Sequence, residues 1–314
     1  MKRVNAAVVM VCVLSASTLL AQAQAPAAAP ANPLWHEQKV KNYLPHMTSP
    51  EVADLLTRTD MVILPVASLE QHGLHGPIGT DFLSGLERAK LIAQKTDVLV
   101  APILFPGNSP YHMAFPGTIT LPAETIQLVF FQAAQSLLAH GFKRFLILNS
   151  HGGNASISQY VVDRINQETG GIAVELDDAA QPFRMRATRQ GAPGFDRHGG
   201  VSETSRSLYL TPNLVNMSVA RTAPLTLLPH LQKMLPEVVA GDPTATRVFL
   251  AEALKAAATG KGTSTKDMTA TGVWSALDVK AATAERGRDE TEASVNAAVA
   301  FIERWKQLRP LGIK

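Results

Sequence analysis

Within a dozen positions the chain places Glu70, His72, His75 and Asp81, interleaved with Gly73, Gly76, Pro77 and Gly79. Two carboxylates and two imidazoles are the donor mix of a zinc, manganese or iron site. Any one of them alone would read as a turn former or a solvated loop residue. Four on one loop, directly behind a buried strand, read as a metal site. Glu70 and His72 are two apart, which in extended backbone sends both side chains the same way. Glycine and proline give such a loop a fixed shape, so Asp81, beyond the Gly76-Pro77 turn, can fold back toward them.

Elements of alternating type must position this loop. The run Val62-Ile63-Leu64-Pro65-Val66-Ala67 is continuously apolar and short, as in a strand buried on both faces. Helices are predicted over Pro50–Thr59, Phe82–Thr96, Ala123–His140 and Ala155–Thr169, the third closed by Gly141 as a C-cap. Strands are predicted over Val98–Leu104, Phe145–Leu148 and Ile172–Leu176. Strands alternating with helices of this length imply a single three-layer α/β/α domain with a mostly parallel sheet. In such sheets functional loops lie at the carboxyl ends of strands, where residues 70–81 fall. A second loop of this kind is Asn149-Ser150-His151-Gly152-Gly153-Asn154, with Asn154 expected to cap the helix that follows. A third is Arg197-His198-Gly199-Gly200-Val201-Ser202-Glu203-Thr204-Ser205, where Glu203 opens a helical run. Beside a metal or catalytic role each has a plainer alternative: His151 as a joint residue, His198 as a loop residue, and Glu203 as a favourable charge at a helix N-terminus.

The segment Ser68-Leu69-Glu70-Gln71-His72-Gly73-x-His75-x-Pro77-x-Gly79-Thr80-Asp81 resembles the signature loop of the creatininase (creatinine amidohydrolase) family. The second and third loops resemble that family's Asn-Gly-His-Gly-Gly-Asn and His-x-Gly-x-x-Glu-Thr-Ser segments, with Ser150 in place of the first Gly. Weaker matches lie at Gly107–Thr118 and at Thr271–Gly287, so the resemblance spans most of residues 50–306. It implies a creatininase-like fold and a metal-dependent amidohydrolase acting on a small cyclic or linear amide. It also implies metal ligands at Glu70, His72, Asp81, His151 and Glu203. Three carboxylates with two imidazoles exceed one four-coordinate ion and suit two divalent ions sharing a carboxylate. Zn²⁺ is the first expectation, with Mn²⁺ or Fe²⁺ as alternatives. By resemblance Asp81 bridges, Glu70 and His151 complete one ion, and His72 and Glu203 complete the other. A water held between the ions attacks the C–N carbon, and His198 passes a proton to the leaving nitrogen. His198 and Glu203 are thus the catalytic candidates; His75, His112, Gly152 and Gly153 are expected to line the substrate pocket.

Creatininase proper carries an aromatic and a Glu where this chain has Gly152 and Gly153. That departure argues against creatinine as substrate and predicts a wider mouth. Two other readings stand beside the amidohydrolase: a formamide or peptide-end hydrolase, and a non-catalytic metal- or ligand-binding protein on the same fold. No Gly-x-Ser-x-Gly elbow offers a serine nucleophile instead.

Residues 1–23 read as a secretory signal peptide: Lys2 and Arg3, an apolar stretch, then Ala21-Gln22-Ala23. Residues 24–33 form a Pro/Ala-rich tether, and residues 34–314 the metallohydrolase domain. A periplasmic or secreted location is therefore expected. The only cysteine, Cys12, falls inside the signal, which excludes disulfides and thiol chemistry from the mature chain. Without Lys2 and Arg3 the basic count falls from 29 to 27 against 26 acids. Such a balance gives no reason to expect nucleic acid, or a membrane after signal removal. A small-molecule amide is the expected partner, and the family resemblance implies a homo-oligomer, up to a hexamer.

Overall fold

The computed structural model describes residues 37–104, 106–184, 194–253 and 264–313. The signal peptide and tether expected over residues 1–33 lie outside the described residues. The chain divides into two units, Met1–Gln38 and Lys39–Lys314. Of the first only Glu37 and Gln38 are described, both irregular; all elements below belong to the second.

In chain order these are α1 (Ser49–Leu56), β1 (Met61–Val66), α2 (Thr80–Thr96), β2 (Leu99–Val100), α3 (Ala123–His140), β3 (Arg144–Asn149), α4 (Ala155–Glu168), β4 (Ile172–Glu175) and the short α5 (Leu176–Ala179). There follow β5 (Asp196–His198), α6 (Val201–Leu210), α7 (Pro229–Ala240), α8 (Pro243–Ala253), α9 (Ser264–Met268), β6 (Trp274–Ser275) and α10 (Ala284–Leu308). The four-stranded sheet has the order β2-β1-β3-β4, and every pairing in it is parallel.

Every residue of β1 is buried, as its unbroken apolar run requires. Val62, Leu64 and Val66 face a core shared with α3 and α4, through Phe130, Phe131, Val161 and Ile165. Met61 and Ile63 face the opposite core, shared with α2 and α10 through Leu86, Ile92, Val295 and Ile302. The sheet is thus the middle of three layers. Pro65 lies in a central strand, where a missing N–H is usually costly. Here it costs no ladder bond. The Ile63 carbonyl bonds toward β2, at Ala101 N, and the Val66 carbonyl bonds toward β3, at Ser150 N. By the two-residue period Pro65 faces the β2 side, which β2 has already left after Val100.

One feature departs from the sequence expectations: the strand predicted over Val98–Leu104 contracts to two residues, Leu99–Val100. The segment over residues 225–253 carries a core of its own. Leu231, Val238 and Phe249 pack there with Phe195 and Trp274. Phe195 precedes β5 and Trp274 opens β6, a small antiparallel pair that brings His198 opposite Trp274. Among the described residues no helix is long and apolar enough to cross a membrane.

Candidate metal centre

Three strand-to-helix loops converge. Residues 67–79 leave β1, residues 150–154 leave β3, and β5 feeds α6. The β1 loop is stitched by Glu70 N–H to Ile78 O at 2.9 Å and by Ile119 N–H to Leu69 O at 3.0 Å. Asp81 falls in the first turn of α2 and Glu203 in the first turn of α6. Asp196 holds the start of α6, its carboxylate accepting from Val201 N at 3.0 Å and Ser202 N at 2.9 Å. Gly199 adopts φ +60°, and a Cβ there would stand 3.1 Å from the His72 carbonyl carbon. That close approach is what lets the α6 turn meet the β1 loop.

Each of the two imidazoles nearest Asp81 has one nitrogen tied down and the other aimed at carboxylates. His72 donates Nδ1–H to the Glu70 carbonyl at 3.1 Å. Its Nε2 then faces Asp81 Oδ1 at 3.3 Å and Glu203 Oε2 at 3.5 Å. His151 donates Nε2–H to the Asn108 carbonyl at 3.0 Å, and its Nδ1 faces Asp81 Oδ2 at 3.1 Å and Glu70 Oε1 at 3.2 Å. Orientation by a backbone carbonyl, with the other nitrogen turned to a cation position, is the usual posture of a metal-ligating histidine.

The carboxylates answer the same way. Glu70 is 1% exposed, and among the described residues its oxygens make no hydrogen bond and are faced only by imidazoles. A buried carboxylate costs several kcal/mol unless a cation meets it. Asp81 Oδ2 accepts from Ser68 Oγ at 2.6 Å, and Glu203 Oε2 accepts from Gly199 N at 2.7 Å. Burial opposes charge on His72, yet the Asp81, Glu203 and Glu70 carboxylates raise its imidazole to about 10. His151 is likewise held well above its ordinary value by Glu70 and Asp81, against burial. Asp81 is held well below the usual carboxylate range by His72 and His151, again against burial. Positive charge is what the cluster demands, from protons or from ions. Among the described residues three groups have metal-compatible spacing: Glu70, His72 and Asp81; His72, His198 and Glu203; and Glu70, His112 and His198. The residues present therefore fit divalent ions.

His198 is buried within the cluster. Its Nε2–H donates to the Gln71 carbonyl at 2.5 Å, which leaves Nδ1, 3.5 Å from Glu70 Oε1, as the nitrogen open to a proton. His112 stacks on it at 4.0 Å. The Gln71 amide accepts from Gly73 N at 2.9 Å through Oε1 and donates from Nε2 to Gly272 O and to His112 Nδ1, each at 3.1 Å. His112 therefore carries its hydrogen on Nε2, which faces Glu70 Oε1 at 3.6 Å. His75 lies behind His72 and outside the metal-compatible groups; its Nε2 meets Thr204 Oγ1 at 2.8 Å. Burial, then the His72 charge, lowers it to about 4, so it stays neutral and ties the β1 loop to α6.

Gly152 and Gly153 differ from each other. Gly152 is exposed, and a Cβ on it would meet nothing within 4 Å. A Cβ on Gly153 would stand 2.4 Å from each of Asn108 O, His151 Nε2 and Tyr111 Oη. Of the two glycines, only Gly152 therefore borders open space. At Gly153 the missing side chain admits the 107–113 segment instead. Asn154 stands at the N-cap position of α4 but makes no side-chain cap. Its amide ties the β1 loop to the 107–113 segment, donating to Ala67 O at 2.9 Å and accepting from Asn108 N at 3.0 Å.

Spacing alone did not reveal Tyr111, Ser68, Gln71 or Asn108. Their one signal is membership of the Ser68–Asp81 and Gly107–Thr118 segments. Among the other histidines, His230 makes an exposed 2.7 Å pair with Glu252, and His36 lies outside the described residues.

A parallel sheet that gathers buried carboxylates and imidazoles beyond the carboxyl ends of its strands defines a metal-dependent hydrolase. The particular family follows from comparison. Residues 45–302 match the family model Creatininase, described as creatinine amidohydrolase, and the chain belongs to that family. It is an enzyme acting on carbon–nitrogen bonds. Similar proteins include the mycofactocin precursor peptide peptidase of Mycobacterium ulcerans, 30% identical over 201 residues, covering 58% of this chain and 75% of that one. The creatinine amidohydrolase of Pseudomonas putida is 29% identical over 187 residues, covering 54% of this chain and 72% of that one. In fold, a mutant creatininase in a zinc–zinc form superposes with a TM-score of 0.62 at 23% identity, covering 87% of this chain and all of that one.

Proposed function

We infer that this enzyme hydrolyses an amide bond with a pair of divalent ions shared across Asp81. The observation that carries the reading is the division of the Asp81 carboxylate. Oδ1 faces His72, beside Glu203, and Oδ2 faces His151, beside Glu70. His72 and Glu203 would hold one ion and Glu70 and His151 the other, with an Asp81 oxygen turned toward each pair. Zn²⁺ suits the mixed nitrogen and oxygen donors first, and Mn²⁺ or Fe²⁺ next. Bound there, divalent ions supply a water acidified toward neutrality and positive charge opposite a developing oxyanion. His198 holds its free Nδ1 toward Glu70 and carries the proton to the leaving nitrogen. His112 and Gln71 fix the orientation of that arm through the stacked rings and the Gln71 carbonyl.

The substrate is a linear or peptide-like amide rather than a small closed ring. The open edge at Gly152 supports this, as does likeness to a peptide peptidase. The full donor set argues against a binding protein released from turnover, since such a protein tolerates loss of a ligand. Export to the periplasm is part of the proposal, on the basic, apolar, Ala-x-Ala order of residues 2–23, and so is assembly into a homo-oligomer.

Elemental analysis of purified protein, then a screen of lactams, hydantoins, formamides and short peptides, tests the reading. About two ions per chain and cleavage of acyclic amides are expected. Metal-loaded protein that cleaves no C–N bond in the screen would refute it. Sequencing the N-terminus of periplasmic protein checks export, with a start near Gln24 expected and an intact Met1 on cytosolic protein against it.

A further inference from the structure

Tyr111 sits on a short 3-10 turn, Pro110–His112, in a segment made rigid on three sides. Asn108 Nδ2 donates to Leu121 O at 2.8 Å, Asn108 N donates to Asn154 Oδ1 at 3.0 Å, and Ser109 N donates to Thr120 Oγ1 at 2.8 Å. The phenol ring packs edge-on against His112 at 4.7 Å and lies roughly parallel to His151 at 6.3 Å. Its hydroxyl stands 3.3 Å from His151 Nε2, its one hydrogen-bond partner among the described residues.

The direction of that bond matters. His151 Nε2 lies 3.0 Å from the Asn108 carbonyl, which can only accept, so Nε2 carries the hydrogen. A ring nitrogen that donates cannot also accept from a hydroxyl. Tyr111 Oη, like Ser109 Oγ at 3.3 Å, therefore cannot donate to His151, and the phenol O–H has no acceptor among the described residues. A rigid donor is left one imidazole's width from Asp81, on a side chain that keeps a partly exposed edge.

Building on the amidohydrolase reading, we propose that Tyr111 is a specificity-determining residue whose hydroxyl donates to an acceptor oxygen of the substrate beside the scissile amide. Gly153 makes this possible, because any side chain there would displace Oη. Tyr111 and the open edge at Gly152 then bound the two sides of an extended acyl chain. A preorganised donor of this kind fixes attack geometry without reordering on binding.

The test compares two probes by calorimetry on the metal-loaded wild type and on Tyr111→Phe. Acetohydroxamate presents amide-like acceptor oxygens; ethanethiol ligates metal and presents none. Tyr111→Phe keeps the ring and its packing, so metal content by elemental analysis and the thermal midpoint should match wild type. Acetohydroxamate should bind about tenfold more weakly to the variant, with ethanethiol unchanged. Unchanged acetohydroxamate affinity overturns the proposal and leaves the metal reading standing. Equal weakening of both probes also overturns it, because Tyr111 would then act by holding His151. Wild type that retains no metal after loading overturns the metal reading, and the proposal with it.

Discussion

Asp81 and His151 approach through Oδ2 and Nδ1 at 3.1 Å, while the other Asp81 oxygen faces His72 at 3.3 Å. One carboxylate therefore answers two imidazoles that themselves come from different strand ends. Replacing it should disturb both halves of the site at once. Asp81→Ala is expected to lose most of both ions and nearly all turnover. His72→Ala and Glu203→Ala should each retain about one ion. Elemental analysis of the three variants decides. An Asp81→Ala protein that keeps two ions would show that Asp81 does not bridge.

Much of this frame was legible before the structure. The continuous apolar run of β1 and the helical spacing of α2, α3 and α4 are local signals, and the sheet follows them. The donors on the three loops are legible because Glu, His and Asp next to glycine-rich turns stand out from a core pattern. What escaped is long-range. Tyr111 meets His151, forty positions further along the chain, only because Gly153 lacks a side chain, and no periodicity records such an approach. β5 and β6 are three and two residues long, too short for alternation to register. Asn154 looks like a helix cap by position. Its amide goes instead to Ala67 and Asn108, because a buried loop junction has stronger claims on it than an already tightened helix start.

The sheet's lower edge offers a stability prediction. Arg144, at the start of β3, is 1% exposed. It ion-pairs with Asp60, donates Nη1 to Arg309 O at 2.9 Å, and lies 5.9 Å from the Trp305 ring. Removing one partner of such a pair leaves an uncompensated buried charge. Asp60→Ala should lower unfolding free energy by about 3–5 kcal/mol. Replacing the pair together, Asp60→Ala with Arg144→Met, should cost clearly less. Urea unfolding of the single and double variants reads both. A double variant no more stable than the single one would contradict the account.

Glu175, at the carboxyl end of β4, gives a pH dependence away from the metal centre. Burial raises its carboxyl from 4.5 to about 7, opposed by the Asp178 N–H it accepts and reinforced by the Asp177 and Asp178 charges. Between those values the folded chain holds a proton that the unfolded chain has released. Stability from this group is therefore full below about pH 4.5 and declines as pH rises toward 7. Glu175→Gln removes the ionisation. Its thermal midpoint should match wild type near pH 4.5 and exceed it at pH 8. Identical midpoints at both pH values would show that Glu175 titrates normally.

Creatinine should be a poor substrate. The structure changes the reason for this from empty space to a different wall. A flat, polar ring must be gripped on its face and at its polar edge to reach attack geometry. On the face, Gly152 offers nothing, since a Cβ there would have open space within 4 Å. At the edge, Gly153 has no carboxylate, and the room for one is taken by Tyr111 Oη, Asn108 O and the His151 ring. The donor set around Asp81 does not depend on either glycine, because Glu203 reaches the cluster from α6 and faces His72 at 3.5 Å. Metal binding and creatinine turnover are thereby separable. The metal-loaded protein should cleave acyclic amides while its kcat/KM for creatinine stays well below the ordinary enzyme range of about 10⁴ M⁻¹s⁻¹. A creatinine value in that range would show that another surface grips the ring. Gly152→Phe adds an aromatic where nothing obstructs it, so it should lower the KM for creatinine without changing metal content. A Gly152→Phe protein with normal metal content and unchanged KM would mean that the ring does not lie along that edge.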